Sequence, residues 1–328
     1  MDRENFIQSS VRIRHLEKSL LTKQQFERLA DCKDLQEVIR FLNETSYSSE
    51  ISKLDRIENY ETILSNTLNK TYKEVFEISS EKSIVDCLQF KYLYHNLKVC
   101  VKEKLLNEDF DTMYSLFDRN EILDFKQKIL DSNIDISKYY KMALDIFEKS
   151  KDPQDIDIFL DRECFKNILD LVKKFNLNMI ENYFKAMIDF TNIRTFIRCK
   201  RQKQSKEVLE KSLIEGGEIQ KDEILALFFN EIETLNIKFK SSSISKVLSL
   251  IIEEYKNTSS LSNFEKYVDD YLMDLIKETN SINYGAEVIF AYLIAKEVEI
   301  KNLRLVLVGK VNDLSADFIK ERLREVYV

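Results

Sequence analysis

Glycine and proline are scarce in this sequence, with four glycines and one proline among 328 residues. These residues supply the positive backbone angles and fixed bends of tight turns, so their scarcity disfavours a strand-rich fold with many hairpins. It favours long helices joined by short polar turns. The only adjacent glycines are Gly216 and Gly217, and no Gly-rich phosphate loop is present. We therefore expect an all-α protein that binds no nucleotide through such a loop.

Apolar residues at intervals of three and four, with charged residues between them, indicate amphipathic helices. Three long helices are predicted in this way over residues 55–78, 157–175 and 264–277. Each opens on a polar stretch that offers Ser, Thr or Asp as an N-cap, and Pro153 fits just outside the second helix. A further helix follows each of them, over residues 85–104, 180–201 and 285–310. The last contains LRLVLV, which alone could form a strand but here continues a helical pattern.

A short phrase recurs once in each of these following helices. It consists of Asn, then Leu or Ile, then a basic residue, with a Lys eight positions after the Asn. Its copies are Asn96-Leu97-Lys98 with Lys104, Asn192-Ile193-Arg194 with Lys200, and Asn302-Leu303-Arg304 with Lys310. A fourth triplet, Asn236-Ile237-Lys238, lacks the lysine and falls off the regular spacing, so we attribute it to chance. The repeat predicts three similar helical domains, over residues 1–115, 116–225 and 226–328.

The basic residue at the third position of each phrase allows two interpretations. Lys98, Arg194 and Arg304 could be equivalent positions that face an acidic partner. Alternatively, each could pair with an acid in the long helix of its own domain and fix the packing there. The second interpretation is favoured, because ion pairs are common on helical proteins and an isolated cation is no binding signature.

The lysine at the end of each phrase has a simpler interpretation. Lys104, Lys200 and Lys310 lie near the C-terminal ends of the predicted helices, where a positive charge interacts favourably with the helix dipole. This role requires no binding partner. The six basic residues of the three phrases are therefore candidates for structural or interface positions.

Composition argues against nucleic-acid and zinc binding. The net charge of −7 arises from both signs finely mixed along the chain, which gives no reason to expect a nucleic-acid partner. The five cysteines are odd in number, lie far apart and include no CxxC pair, as is typical of buried reduced thiols in a cytoplasmic protein. They are Cys32, Cys87, Cys100, Cys164 and Cys199. The two histidines, His15 and His95, have no cysteine or carboxylate at ligand spacing.

No catalytic site can be assembled from the sequence. Acidic clusters occur at Glu253 and over residues 270–274, but no nucleophile, oxyanion donor or cofactor motif accompanies them. The sequence therefore predicts no catalytic residue, no cofactor and no metal ligand.

A membrane span is also not predicted. The N-terminal residues lack an apolar core long enough for a signal peptide. The most apolar region, Val288 to Val308, is interrupted by five charged residues. It falls short of the ~20 uncharged residues that a helix needs to cross a bilayer.

Two passages carry a recognisable family pattern. The last 44 residues, GAEVIFAYLIAKEVEIKNLRLVLVGKVNDLSADFIKERLREVYV, resemble the end of the C subunit of V/A-type ATPases, which is related to the d subunit of the eukaryotic vacuolar proton pump. The passage Val11 to Tyr47 is similar to the start of that family, and the middle of the chain matches more loosely. One departure is Val288, where the family often has proline.

The resemblance implies an all-α protein whose three similar domains form a pseudo-threefold funnel. It implies a non-catalytic rotor protein that joins the central shaft of the ATPase to the membrane rotor ring and so links ATP hydrolysis or synthesis to proton or sodium transport. Such a protein is peripheral, lies at the cytoplasmic face of the membrane, binds no nucleotide and is expected to be a monomer when isolated.

Two other function classes compete with this interpretation. A helical-repeat adaptor would bind soluble partners on a concave surface, but its repeats are usually about 20–50 residues long, shorter than the spacing of the phrases. An all-α hydrolase would require a deep pocket with paired acids of shifted pKa.

Overall fold

The computed structural model of the chain describes residues 2–328. Within that range the regular structure is helical and contains no β-strand, which confirms the all-α class. Its α-helices are α1 Ile7–Glu17, α2 Lys23–Asp31, α3 Leu35–Leu42, α4 Ser48–Ile51, α5 Tyr60–Ile78, α6 Ser83–Leu106, α7 Arg119–Leu130, α8 Ser137–Ser150, α9 Pro153–Phe175, α10 Asn178–Arg201, α11 Lys206–Ser212, α12 Lys221–Ala226, α13 Thr234–Lys238, α14 Ser245–Thr258, α15 Phe264–Lys277, α16 Ala286–Val311 and α17 Ala316–Arg322. Short 3-10 helices lie at Arg3–Phe6, Ile57–Asn59, Asp111–Met113 and Glu278–Ser281.

The six predicted helices correspond to α5, α6, α9, α10, α15 and α16, and α15 has the predicted bounds. The run LRLVLV is helical within α16, as the continuing periodicity indicates. Pro153 was expected just outside a helix and is instead the first residue of α9. The side chain of Asp152 caps this helix by accepting a hydrogen bond from the Gln154 N–H at 2.9 Å. Proline is tolerated at that position because the first N–H of a helix needs no partner within the helix.

Two compact units make up the chain. Unit 1 comprises residues 2–85, Leu177–Tyr183 and Leu235–Val328. Its centre is α16, which packs against α1, α2, α3, α5, α15 and α17. All residues from Ala286 to Ile300 are buried, so this helix is enclosed on every side. A helix that is buried all round is the core of its unit.

The charged residues within the buried part of α16 are paired. Lys296 Nζ lies 2.5 Å from Glu299 Oε1 and 4.5 Å from the centre of the Tyr47 ring. The hydroxyl of Tyr47 donates to Glu299 Oε1 at 2.6 Å, and the backbone N–H of Leu21 donates to Glu299 Oε2 at 2.5 Å. The Tyr72 hydroxyl donates to Glu297 at 2.5 Å. These contacts explain how an apolar helix accommodates charges, since a buried charge is costly unless it is paired and hydrogen-bonded.

Unit 2 comprises residues Asp86–Asn176 and Phe184–Thr234. In this unit α7 and α9 pack against α8, and α11 packs against α12. Among the described residues of the two units, no helix combines the length and apolar character that crossing a membrane requires. The boundaries predicted at residues 115 and 225 stay a prediction.

Candidate functional site: the three phrase helices

The asparagine that opens the first phrase ties α6 to a segment further along the chain. Asn96 is fully buried in α6. Its Nδ2 donates to the carbonyl of Ser115 at 2.9 Å, and its Oδ1 accepts from the N–H of Ser115 at 2.8 Å. We call this double pairing with one backbone residue the asparagine clamp.

The other two phrases contain the same clamp. Asn192 in α10 is fully buried and pairs with the carbonyl and the N–H of Ile214, both at 2.8 Å. Asn302 in α16 is fully buried and pairs with the carbonyl of Arg324 at 3.0 Å and with its N–H at 2.8 Å. In both copies the clamped residue follows the Asn by 22 positions. The phrase therefore recurs because one packing device recurs.

The fourth triplet makes no such clamp. Asn236 lies in α13, is half-buried, and accepts a 3.5 Å hydrogen bond from the hydroxyl of Ser249. Its amide therefore does not pair with a returning backbone. This difference sets the fourth triplet apart from the three copies of the phrase.

In two of the three copies, the third residue of the phrase pairs with an acid far away in the sequence. Lys98 Nζ lies 2.7 Å from Asp161 Oδ1 of α9. The guanidinium of Arg304 contacts both carboxylate oxygens of Glu61 in α5, at 2.5–3.1 Å. Arg194 is half-buried in α10.

With the predicted boundaries, the acids that pair with Lys98 and Arg304 lie outside their own third, but each pair lies within one compact unit. The expectation that each cation pairs within its own domain therefore stays a prediction. Positions two apart on a helix point about 200° apart. The residue two positions after the clamp asparagine therefore faces away from the segment that the asparagine holds. In the first phrase it faces α9, and in the third phrase it faces α5.

The lysines at the end of the phrases lie in the last turns of α6, α10 and α16. Lys310 Nζ donates at 2.7 Å to the carbonyl of Ala30 in the last turn of α2. Lys200 Nζ donates to the carbonyls of Phe228 at 2.9 Å and Asn230 at 2.5 Å, just after α12. Lys104 is exposed. Lys200 and Lys310 therefore satisfy carbonyl groups at or near the end of another helix, a contact that sequence reasoning did not identify.

Sequence reasoning also missed an acid three positions before the asparagine in two of the phrases. Asp189 is fully buried and accepts from the N–H groups of Glu218 at 3.1 Å and Ile219 at 3.0 Å. Glu299 stands at the same place relative to Asn302 and accepts from the N–H of Leu21. The acids occur at the same offset in the sequence, which could have signalled them, although the first phrase has Leu93 there.

The loop that Asp189 holds requires glycine at position 217. A Cβ atom on Gly217 would lie 2.0 Å from Asp189 Oδ1, too close for any other residue without a shift of the carboxyl group. Burial raises the pKa of Asp189 to about 7, although the two N–H groups favour the charged form. Asp189 is thus a buried acid of α10 whose carboxyl group holds the loop that precedes α12.

The segments held by these acids open helices that begin in the same way. The N–H of Thr22 donates to the side chain of Gln25 at 2.8 Å, at the start of α2. The N–H of Gln220 donates to the side chain of Glu223 at 3.3 Å, at the start of α12. Reciprocal contacts of this type three residues apart are typical of capping boxes. A third pair occurs at the start of α7, where the N–H of Asp118 donates to Glu121 at 2.8 Å.

One acidic cluster has the composition of a cation site. Carboxylate oxygens of Glu103, Asp109 and Asp111 lie within 4.8 Å of one another. Lys126 Nζ lies 3.0, 3.0 and 2.7 Å from them respectively. Burial lowers the pKa of Lys126, but hydrogen bonds to Asp111, Glu103 and Asp109 outweigh burial and leave it raised. The ammonium group therefore occupies the place that a cation would take.

The histidines and cysteines form no cluster of ligands in the part of the chain that the structure describes. His15 and His95 are exposed, and Nε2 of His95 lies 2.8 Å from the carbonyl of Met113. All five cysteines are free thiols. Four are buried as expected, but Cys32, at the end of α2, is only half-buried.

Comparison with known proteins shows which family this chain belongs to. The family model described as ATP synthase (C/AC39) subunit matches residues 9–322. The chain belongs to this family. The resemblance found in the two terminal passages is therefore confirmed, and it extends over nearly the whole chain.

Members of the family in other organisms cover the chain along most of its length. The C subunit of the V-type sodium ATPase of Enterococcus hirae is 28% identical over 322 residues, which are 96% of this chain and 97% of the relative. The C subunit of the A-type ATP synthase of Desulfurococcus sp. is 26% identical, over 97% of this chain and 90% of the relative. The protein of the same name from Thermococcus kodakarensis is 23% identical, with the same two coverages.

Proposed function

We propose that this chain is a non-catalytic rotor subunit of a V/A-type ATPase and forms the socket that joins the central shaft to the membrane rotor ring. In this role it links ATP hydrolysis or synthesis to the transport of protons or sodium ions. The observation that carries the proposal is the match to the ATP synthase (C/AC39) subunit family over residues 9–322. The relatives, which are named as C subunits of a sodium ATPase and of ATP synthases, support the same role.

The repeated contacts suit a part that transmits torque. A transmitting element must resist deformation, and each asparagine clamp fixes a phrase helix to its returning segment through two hydrogen bonds in a buried setting. The scarcity of glycine and proline removes flexible hinges from the connections. These features favour a stiff spacer over an enzyme that must open and close around a substrate.

The phrase cations support a pseudo-threefold funnel. Lys98 in the first third reaches Asp161 in the second, and Lys200 in the second third reaches Asn230 in the last. Arg304 in the last third reaches Glu61 in the first. With the boundaries predicted from the repeat, each of these contacts joins residues that belong to different thirds of the chain. We extend this role of ties between thirds to Lys104, Arg194 and Lys310, so that all six phrase cations are structural.

The ties can be tested at the exposed pair of Arg304 and Glu61. We expect Arg304→Ala to lower the free energy of unfolding by less than about 1 kcal/mol, because both side chains are partly solvated. A double-mutant cycle with Glu61→Ala should give a coupling free energy of a few tenths of a kcal/mol that decreases as salt increases. Wild-type stability and assembly for Arg304→Ala, with no coupling to Glu61, would contradict the role of a tie.

The proposal places the chain at the cytoplasmic face of the membrane as a peripheral subunit. The shaft would enter the open end of the funnel, and loops of the ring would contact the other end. No direct bilayer span is needed, because the ring supplies the transmembrane helices. Outside the complex the chain is proposed to be a monomer.

The test is purification of the tagged chain from its native membranes in mild detergent, with the co-purifying proteins identified by mass spectrometry. Recovery of shaft and ring proteins together supports the rotor socket. Recovery of soluble partners without any other part of the ATPase would overturn it and favour a helical-repeat adaptor. An untagged strain is the control for non-specific recovery.

A further inference from the structure

Phe229 is the most exposed large hydrophobic side chain among the described residues, with 82% of its surface accessible. It lies in the turn that follows α12, directly after Phe228. Burial of a phenylalanine side chain is favourable, because it removes apolar surface from water. In this unit the ring of Phe229 remains exposed to water and does not contribute in this way to the stability of the fold.

The backbone on both sides of Phe229 is held in place. Lys200 Nζ donates to the carbonyls of Phe228 and Asn230, the two residues that flank it. The N–H of Asn230 also donates to the carbonyl of Leu227 at 2.9 Å. The ring of Phe228 meets that of Phe229 edge to face, with 5.1 Å between their centres. The turn therefore presents the Phe229 ring to solvent in a fixed position.

The chain around Phe229 is acidic. Between Asp222 and Ile237 there are four carboxylates and no lysine or arginine. Asp222, Glu231 and Glu233 are exposed. The positive charge of Lys200 is directed at backbone carbonyls. Exposed carboxylates of this kind are repelled by anionic lipid headgroups and by the phosphates of nucleic acid, so they suit a protein partner of positive charge.

We propose that Phe229 is an anchor that inserts into an apolar pocket of another protein whose rim carries Lys or Arg. An aromatic side chain on a backbone that is held in place, with exposed carboxylates on both sides of it in the sequence, loses little conformational freedom on binding and gains burial. Dominant interface residues act in this way. This inference rests on the proposed function, because it takes the partner to be another member of the ATPase complex. It identifies the turn after α12 as a contact surface with that partner.

The anchor is tested with Phe229→Ala and with Ile237→Ala as a matched control, because Ile237 is 78% exposed. Circular dichroism and thermal unfolding first establish that both variants fold like the wild type. Binding of each purified chain to ATPase complexes depleted of this protein is then titrated. We expect Phe229→Ala to weaken binding at least tenfold and Ile237→Ala to change it less than twofold. Binding of Phe229→Ala within twofold of the wild type would overturn the anchor.

The charge of the partner is tested separately. The double variant Glu231→Lys with Glu233→Lys should weaken binding several-fold, with most of the change in the association rate and a smaller effect at high salt. Stronger binding by this variant would contradict a rim of Lys or Arg.

A photo-crosslinking amino acid at position 229, with the same group at position 237 as control, identifies the partner in native membranes. A product with another protein of the ATPase at position 229 supports the inference, whereas a product with lipid or with a second copy of this chain overturns it. The proposed function fails by a different result, namely that the wild-type chain recovers no other part of an ATPase at all. If the wild type recovers its ATPase partners and Phe229→Ala does so equally well, only the anchor fails.

Discussion

At the scale of single residues, the fold depends on asparagine side chains that imitate a backbone peptide. An asparagine amide offers a donor and an acceptor side by side, so it can pair with the N–H and the C=O of one residue at the same time. Leu or Val at Asn96, Asn192 or Asn302 would fill the space but leave two buried backbone groups without partners. The composition of the phrase is thus explained by hydrogen bonding and not by shape alone.

We expect Asn192→Ala to lower the free energy of unfolding by about 2–4 kcal/mol, because it leaves the buried N–H and C=O of Ile214 unpaired. Urea denaturation measures the change. Asn236→Ala is the matched control, since Asn236 belongs to the fourth triplet and makes no clamp, and it should change stability by less than about 0.5 kcal/mol. Similar losses of unfolding free energy in the two variants would show that a clamp asparagine contributes no more to stability than an asparagine without a clamp.

The buried carboxyl group of Asp189 predicts a dependence of stability on pH. Its pKa is about 7 in the folded protein and near its ordinary value of 3.8 in the unfolded chain, so the folded state binds the proton more tightly. Its contribution to stability is fully present below pH 3.8 and is lost as pH rises towards 7. The loss is on the order of 4 kcal/mol at most.

Asp189→Asn removes this titration. The variant does not lose this stability as pH rises. The free energy of unfolding of the variant minus that of the wild type should therefore be larger above pH 7 than at pH 4. The difference between the two proteins is measured from urea midpoints across that interval. A difference that stays constant between pH 4 and pH 7 would contradict a raised pKa at Asp189.

At the scale of elements, α16 has two sequence features that argue against a buried helix. Its run LRLVLV has the composition of a strand, and its charges interrupt the apolar surface of a core helix. The structure reconciles them, because Lys296, Glu297 and Glu299 have partners within unit 1. A helix can thus be enclosed on all sides and still carry acidic and basic side chains, provided that they have partners.

We expect Lys296→Met to destabilise the protein by about 3 kcal/mol or more, because it leaves the charge of Glu299 buried without its cation. The hydrogen bonds from Tyr47 and Leu21 remain and limit the loss. Lys128→Met is the control, since Lys128 pairs with Asp124 on an exposed surface of α7 and should contribute less than about 0.5 kcal/mol. Thermal unfolding of both variants measures the contrast, and equal shifts would refute the importance of burial.

At the scale of the whole molecule, residues at the end of the chain complete unit 1. Arg324 is the residue clamped by Asn302, and Tyr327 is buried. The Tyr327 hydroxyl lies 2.7 Å from the Thr279 hydroxyl and accepts from Arg14 at 3.3 Å. These contacts explain why removal of the last residues is a test of folding and not a clean test of assembly.

Deletion of residues 323–328 should therefore destabilise unit 1 by several kcal/mol, since it exposes the Asn302 amide and removes buried apolar surface. Limited proteolysis, read by mass spectrometry, should find new cleavage sites in α1 and α15. Deletion of Val328 alone should have little effect, because 47% of its surface is exposed. Full protease resistance of the longer deletion would contradict the role of the clamp in unit 1.

Much of this organisation could be predicted from local pattern, and the rest could not. The bounds of α15 and the phrase in α6, α10 and α16 follow from periodicity and repetition, which are properties of neighbouring residues. The acids that face Lys98 and Arg304 could not be identified, because Asp161 and Glu61 lie 63 and 243 positions away. The role of Asp189 was missed for a related reason, since it depends on the N–H groups of a loop 29 and 30 residues later.

The contacts of Arg14 also determine when this chain can fold during its synthesis. Arg14 donates to the carbonyls of Thr279 and Ile282, which follow it by 265 and 268 residues. At about 5–20 residues per second, a ribosome delivers these partners on the order of ten seconds to a minute after α1. Unit 2 lies within residues 86–234 and has all its parts much earlier. We therefore expect the middle of the nascent chain to become protease-resistant first. The surface of α1 that packs on α16 stays uncovered until the end of synthesis and is then available to chaperones.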